Sequence, residues 1–216
     1  MLVALRATLV TLVLTGLLYP LAVTGLAQAV FPGRANGSIA TDDKGREVGS
    51  ELIGQAFSDP AYVIGRPSAN GYDAANSGGT NLGTTSKKLR DGQADDPATK
   101  DVDESFTGVK DLAAAFRRDN ALPADVEVPA DAVSRSASGL DPDVSPETAM
   151  LQAGRIAKHR DVAVERVRAV IGEYTEGREL GLLGEPRVNV LAVNLALDRK
   201  FGRPAHLAAG GATMSK

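Results

Sequence analysis

The sequence predicts an α+β protein: a single N-terminal transmembrane helix followed by a mixed α+β extracytoplasmic domain. Three observations carry this. No charged residue lies between Arg6 and Arg34. Residues 38–65 set short apolar runs against polar turns, the pattern of extended chain. From Glu104 onward the apolar residues recur at helical spacing instead. Strands early and helices late is the order of an α+β domain.

The uncharged run Ala7–Phe31 is 25 residues of mostly Leu, Val, Ala, Thr and Gly. A helix needs ~20 such residues to cross the hydrocarbon, and this one would be ~37 Å long. Ala27-Gln28-Ala29 has the small residues of a cleavage site. The uncharged stretch ahead of it, Ala7–Leu26, is already 20 residues long, against about 7–15 for the core of a signal peptide. An uncleaved span is therefore expected. The chain divides into residues 1–6 before the membrane, 7–31 within it, 32–201 as a soluble domain and 202–216 as a flexible tail. The basic excess ahead of the span favours an N-terminus inside, which places the soluble domain outside the cytoplasm. Thr8, Thr11, Thr15 and Tyr19 share one helical face. Gly16 and Gly25 are small, and Pro20 interrupts the hydrogen-bond ladder. Hydroxyls and small residues let membrane helices pack closely. The face reads either as a docking surface for partner helices or as part of a plain anchor.

Beyond the span, Ser38–Thr41 leads into the polar turn Asp42-Asp43-Lys44-Gly45, with Val48, Leu52 and Ile53 after it, so a hairpin is expected. Residues 66–83 are rich in Gly, Asn, Ser and Ala, a long patternless loop that is either functional or disordered. Lys87–Asp103 reads as solvated charged surface. Phe106, Val109, Leu112, Ala113 and Phe116 form one helical stripe. Ala130–Ser134 makes a short helix, and Ser138-Gly139-Leu140-Asp141-Pro142 is turn chemistry. Ser145-Pro146-Glu147 is a helix start, with Ser as N-cap and Pro in the first turn; that helix ends near His159. Further helices are expected over Val162–Tyr174 and Val188–Phe201, joined by a connector over residues 181–187. The tail from Ala208 frays.

The chemistry is bounded by what is missing. The chain has no cysteine and two histidines, His159 and His206, so thiolate nucleophiles and Cys-based metal sites are excluded and His-based ones are scarce. Twenty-four basic residues stand against 27 acidic ones, a net charge of −3, which is no footprint for nucleic acid. His159 reads as a solvated helix end, and His206 sits in the tail. Ser77-Gly78-Gly79-Thr80-Asn81 is either an anion cradle or a tight turn needing positive φ; it lacks the Lys-Ser/Thr ending of a P-loop. Arg66-Pro67 is an anion contact or an extended dipeptide. Tyr72 and Asp73 either line this loop or pin it. Gln152 is a polar helix residue or a ligand contact. No catalytic or metal-binding set emerges.

Taken in chain order, several stretches resemble the KdpC family, the C subunit of the Kdp potassium-transporting P-type ATPase. They are Thr15-Gly-Leu-Leu-Tyr-Pro20, Gly65-Arg-Pro-Ser-Ala69, Tyr72-Asp73, Ser77-Gly-Gly-Thr-Asn-Leu82, Ser138-Gly-Leu-Asp-Pro142 with Ser145-Pro146, and Gly184-Glu-Pro-Arg-Val-Asn-Val-Leu191. The resemblance implies a single-pass protein of the cell inner membrane, N-terminus cytoplasmic, soluble domain periplasmic. It implies three partners: a channel-like potassium-binding subunit, a P-type subunit that hydrolyses ATP, and a small single-span subunit. It further implies a subunit that is not catalytic alone, that stabilises assembly and that acts as a catalytic chaperone raising ATP affinity. Potassium is then the transported ion and no cofactor is tightly bound. ATP is implied by the family, with Gln152 and the Ser77–Gly79 turn as the candidate contacts. Under this reading Thr8, Thr11, Thr15 and Tyr19 meet partner helices, and Arg66, Ser68, Asn70, Tyr72, Asp73, Ser77, Gly78, Gly79 and Asn81 meet the channel-like subunit. The alternative is a membrane-tethered scaffold or small-molecule binder working without a pump.

Overall fold

The computed structural model describes residues 1–94, 105–204 and 206–207. The chain divides into two compact units, Met1–Leu52 and Ile53–Lys216. The division falls after the hairpin and not directly after the span.

The first unit begins with a continuous helix, Leu2–Val30, long and apolar enough to cross a membrane. It comprises α1 (Leu2–Val13), a π turn (Leu14–Leu18) and α2 (Tyr19–Val30), none of whose residues is buried. In the π turn the Tyr19 N–H reaches back five residues to the Leu14 carbonyl. Pro20 follows directly; it has no N–H to give and its ring crowds the turn before it, so a widened turn accommodates it. Thr15 Oγ1 donates to the Thr11 carbonyl at 2.8 Å, which keeps one hydroxyl of the predicted face bonded within its own helix. Phe31 breaks the helix at φ −139°, and Pro32 opens the short α3 (Pro32–Ala35). The predicted hairpin is present. β1 (Ile39–Thr41) pairs antiparallel with β2 (Glu47–Ser50), with a bulge between Ala40 and Thr41. Asp42 Oδ1 accepts from the Lys44 and Arg46 amides at 2.9 Å each, and Gly45 closes the turn at φ +73°.

In the second unit α4 (Lys87–Asp91) is a short helix capped by Ser86, where the charge pattern reads as plain solvated surface. The remainder of that charged stretch, 95–103, lies outside the described residues, as does the tail from residue 208. α5 (Val109–Asp119) starts three residues after Phe106. Phe106 instead forms an antiparallel bridge with Gln93, and the Arg135 guanidinium lies 4.2 Å from its ring centre. Helical spacing alone does not separate an aromatic on the stripe from one just before it. α6 (Ala130–Val133) leads to β3 (Asp143–Val144) and α7 (Pro146–Arg160). The start of α7 matches its sequence signature: Ser145 Oγ accepts from the Thr148 amide at 3.1 Å. Asp131 braces this cap, accepting from Ser145 N at 2.7 Å, Ser145 Oγ at 3.0 Å and Thr148 Oγ1 at 2.8 Å. Next come α8 (Val164–Glu173), β4 (Thr175–Glu176), β5 (Arg187–Asn189) and α9 (Val190–Phe201).

The core sheet corrects the expected order of elements. Its strands run β3-β5-β4, all antiparallel, and all come from the C-terminal half. Residues 187–189, divided by the sequence pattern between a connector and the last helix, form its central strand. Val188 pairs with both Val144 and Thr175 and is fully buried. Strands of two or three residues are too short to show alternation, and a buried Val suits a strand or a helix equally. Asn189 then caps α9 by accepting from the Ala192 amide at 3.0 Å. The apolar core gathers Val63, Val144, Ile156, Val167, Val170, Ile171, Val188, Val193 and Leu197 between this sheet and α7, α8 and α9.

Candidate functional site

The segment Pro60–Ile64 carries the core residue Val63 yet pairs with no strand among the described residues. Its buried backbone groups still need partners, and side chains of α7 and α9 supply them. Asn194 accepts from Val63 N at 2.8 Å and donates to Val63 O at 2.9 Å. Gln152 does the same for Ile64, at 2.9 and 3.0 Å. A primary amide offers the donor and acceptor that a neighbouring peptide group would, so the two side chains replace a strand. Arg155, only 7% exposed, donates to the Pro60 carbonyl, to Tyr62 O at 3.1 Å, to Asn120 Oδ1 at 2.9 Å and to Gln152 Oε1 at 2.6 Å. Burial brings its pKa down to about 10, so it stays charged at neutral pH. Arg160 donates to Ala61 O at 2.7 Å and pairs with Asp198 at 2.8 Å, and Asp198 accepts from the Tyr62 hydroxyl at 2.8 Å.

Directly after this clamp the predicted loop begins, and it is ordered by a second distant segment, 134–141. Arg66 Nη1 meets Asp141 Oδ2 at 2.7 Å, and Arg66 Nη2 donates to Ser134 O and Oγ at 3.3 Å each. The Tyr72 hydroxyl donates to Arg66 O at 2.5 Å. Ser68 Oγ accepts from Tyr72 N at 2.9 Å and lies 2.8 Å from Gly139 O. Asn70 donates to the Asn76 carbonyl, and Asp73 accepts from Asn76 Nδ2 and Ala75 N, which holds its carboxyl below the usual range. Ser77 Oγ and Gly78 N both donate to Ser138 O, at 3.1 and 2.8 Å. The stretches Arg66–Asn81 and Ser134–Asp141, read separately in the sequence, are therefore the two halves of one knot. Within Arg66–Asn81 the longest exposed stretch is residues 73–78, with Ala69, Gly71 and Asn81 exposed beside it.

The glycines here work differently from the turn geometry expected of them. Neither Gly78 nor Gly79 has positive φ; Gly71, Tyr72 and Asn81 do. Gly79 is required for close approach, because a Cβ there would meet Ala137 O at 2.8 Å, while Gly78 faces open space. The candidate nucleotide contact Gln152 is 1% exposed, and both ends of its amide are bonded to Ile64. It has no exposed group to offer a ligand in this arrangement. His159 is exposed at the end of α7. His206, read as part of a frayed tail, lies 2.5 Å from Asp59. Among the described residues no group of acidic or histidine side chains is placed to hold a metal ion. The sequence reading passed over Arg155, Arg160, Asn194 and Asp198. The available signal was Asn194 inside the apolar run Val190–Leu197, a polar residue where a helix faces its core.

Two hydroxyls give the clamp and the knot a pH signature. Burial, reinforced by the bond to Asp198, raises the Tyr62 pKa to about 12. Burial and the nearby Asp141 charge raise Tyr72 to about 12. The unfolded chain ionises both near pH ~10, so their stabilisation is complete below that and is lost as pH climbs from about 10 to about 12. Urea midpoints are expected to fall across this window. A chain carrying Tyr62→Phe and Tyr72→Phe should show a flatter profile; an identical fall would refute the assignment.

Comparison with known proteins places the chain in a family. The profile of the KdpC family, described as "K+-transporting ATPase, c chain", matches residues 1–199. The chain is 55% identical over 203 residues to the "Potassium-transporting ATPase KdpC subunit" of Myxococcus xanthus, covering 93% of this chain and 88% of that one. It is 47% identical over 193 residues to the protein of that name from Koribacter versatilis, with 88% and 90% covered. For the Mycobacterium bovis protein the identity is 46% over 198 residues, with 91% and 96% covered.

Proposed function

The chain belongs to the KdpC family, the c chain of K+-transporting ATPases, and on that footing we propose that it is an inner-membrane accessory subunit that stabilises the assembled pump and raises the ATP affinity of its hydrolysing subunit. The observation that carries this reading is the apolar helix Leu2–Val30, 29 residues of which none is buried. Such a helix needs lipid or other helices around it. The face of Thr8, Thr11, Thr15 and Tyr19 is the one we assign to partner helices: the channel-like potassium-binding subunit, the P-type subunit and the small single-span subunit. Arg6 ahead of the span and the family pattern favour a cytoplasmic N-terminus and a periplasmic domain. In that topology ~30 Å of hydrocarbon separates the domain from cytoplasmic ATP. The buried position of Gln152 likewise speaks against direct contact with the nucleotide. The effect on ATP is then a coupling free energy carried through the span and its partners.

The test is a pump purified in mild detergent with and without this chain. Omission is expected to lower recovery of the complex and to raise its KM for ATP. Unchanged recovery and KM would overturn the reading. Arg66→Ala is expected to loosen the knot and lower recovery about tenfold, equivalent to ~1.4 kcal/mol. Recovery and potassium-stimulated ATPase activity equal to wild type would remove the loop Arg66–Asn81 from the interface.

A further inference from the structure

The π turn Leu14–Leu18, followed by Pro20, is the one break in the regular ladder of the membrane span. Two backbone carbonyls lose their helical donors there. In an α-helix Thr15 O would accept from Tyr19 N, and Gly16 O from the N–H of residue 20. The Tyr19 N–H goes to Leu14 O instead, and Pro20 has no N–H to give. Depth makes the loss matter. Gly16 is the middle residue of the helix Leu2–Val30. Arg6 to Gly16 is ~15 Å of helix, half of the ~30 Å hydrocarbon core. Lipid tails donate no hydrogen bonds, so carbonyls freed at that depth need a donor from protein. The Thr15 hydroxyl gives its proton to the Thr11 carbonyl at 2.8 Å and has only lone pairs left to offer. Gly16 leaves the approach open. An added Cβ would touch Leu12 Cδ1 at 3.6 Å, an ordinary contact, and the φ of Gly16 is not positive. Its own helix therefore makes no demand for glycine, which weakens a helix interior; a closely packed neighbouring helix does.

We propose that the Thr15 and Gly16 carbonyls accept hydrogen bonds from an amide or hydroxyl side chain on a transmembrane helix of the channel-like subunit. This deepens, and rests on, the reading of the chain as a pump subunit whose span docks on partner helices. Thr15 O, Gly16 O and Thr15 Oγ1 can only accept, so their complement is a donor. The NH2 group of Asn or Gln can give two bonds to neighbouring carbonyls, and Ser or Thr can give one. A charged donor is disfavoured at the bilayer centre. Chain continuity selects the subunit: the span runs on through residues 31–65 into the loop Arg66–Asn81, which the same reading assigns to the channel-like subunit.

The experiment uses the full chain co-expressed with the other pump subunits. A photo-crosslinking amino acid is placed at position 12, whose side chain lies beside Gly16. The expected product joins this chain to a transmembrane segment of the channel-like subunit that contains an amide or hydroxyl residue. Pro20→Ala restores the missing N–H, and Gly16→Leu blocks the approach. Each is expected to lower co-purification about three- to tenfold, the range of hydrogen bonds between membrane helices. Replacing the crosslinked donor by Ala should lower it equally, with no further loss when combined with Pro20→Ala; that coupling is what packing alone does not produce. Crosslinks confined to lipid, a second copy, another subunit or a segment without such a residue would overturn the proposal. Additive losses, or a Pro20→Ala chain that co-purifies like wild type, would overturn it too. Should a span variant fail to insert, the crosslink and the donor substitution, made in the partner, decide. If the wild-type chain does not co-purify, the subunit reading fails and this proposal falls with it; if wild type co-purifies and the variants match it, the subunit reading stands and only this proposal falls.

Discussion

Replacing Arg155 by alanine is expected to destabilise the second unit by about 3–5 kcal/mol, since it both empties volume and leaves buried acceptors unmatched. The guanidinium holds the Pro60 and Tyr62 carbonyls together with the side chains of Asn120 and Gln152. Among the described residues no carboxylate lies within hydrogen-bond distance to compensate it. Its role is to satisfy backbone that has no strand beside it. Arg155→Met, which restores much of the stem volume without donors, should recover only the packing part of the loss. Urea unfolding of the full chain in detergent, followed by circular dichroism, reads the difference. Hydrogen exchange gives a sharper signature: the Val63 and Ile64 amides, bonded to Asn194 and Gln152, should exchange faster as the clamp loosens. A loss below ~0.5 kcal/mol, within the range of ordinary surface substitutions, would show that the segment is held in place by Val63 packing alone.

Gly139→Ala is the second large effect. Gly139 has φ +69°, and an added Cβ would lie 2.3 Å from Asn70 Oδ1 and 2.8 Å from Gly78 O. The backbone conformation costs about 1–2 kcal/mol for a residue with a side chain, and overpacking about 1–3 kcal/mol more. The sum, about 2–5 kcal/mol, falls on the junction between the halves of the knot. Gly71→Ala separates the two contributions: Gly71 has nearly the same φ, +66°, and open space around it, so it should show the backbone cost of about 1–2 kcal/mol alone. Protease susceptibility across residues 73–78 should rise in Gly139→Ala and stay near wild type in Gly71→Ala. Equal behaviour of the two variants would mean that the close approach is not what holds the loops together.

Sequence by itself determined the features that are local in the chain. A long uncharged apolar run specifies a membrane-length helix, since length and composition alone decide whether a helix can span the hydrocarbon. Ser145-Pro146-Glu147 specified the start of α7, since a cap acts on amides within three residues of it. The turn Asp42–Gly45 specified the hairpin for the same reason. The ordered motifs were enough to recognise the family. Only the tertiary structure decided which residues meet across distance. The sheet β3-β5-β4 is built from strands of two and three residues, which have no period of their own and exist because their neighbours pair with them. Gln152 and Asn194 look like ordinary polar helix residues until a strandless segment is laid against them. The loop Arg66–Asn81 contains almost no bulky apolar side chain to signal order; its order comes from hydrogen bonds to Ser134–Asp141, more than fifty residues further along. Hydrogen-bond pairing across such distances leaves no periodicity for a single sequence to reveal, because it depends on where the intervening chain has folded.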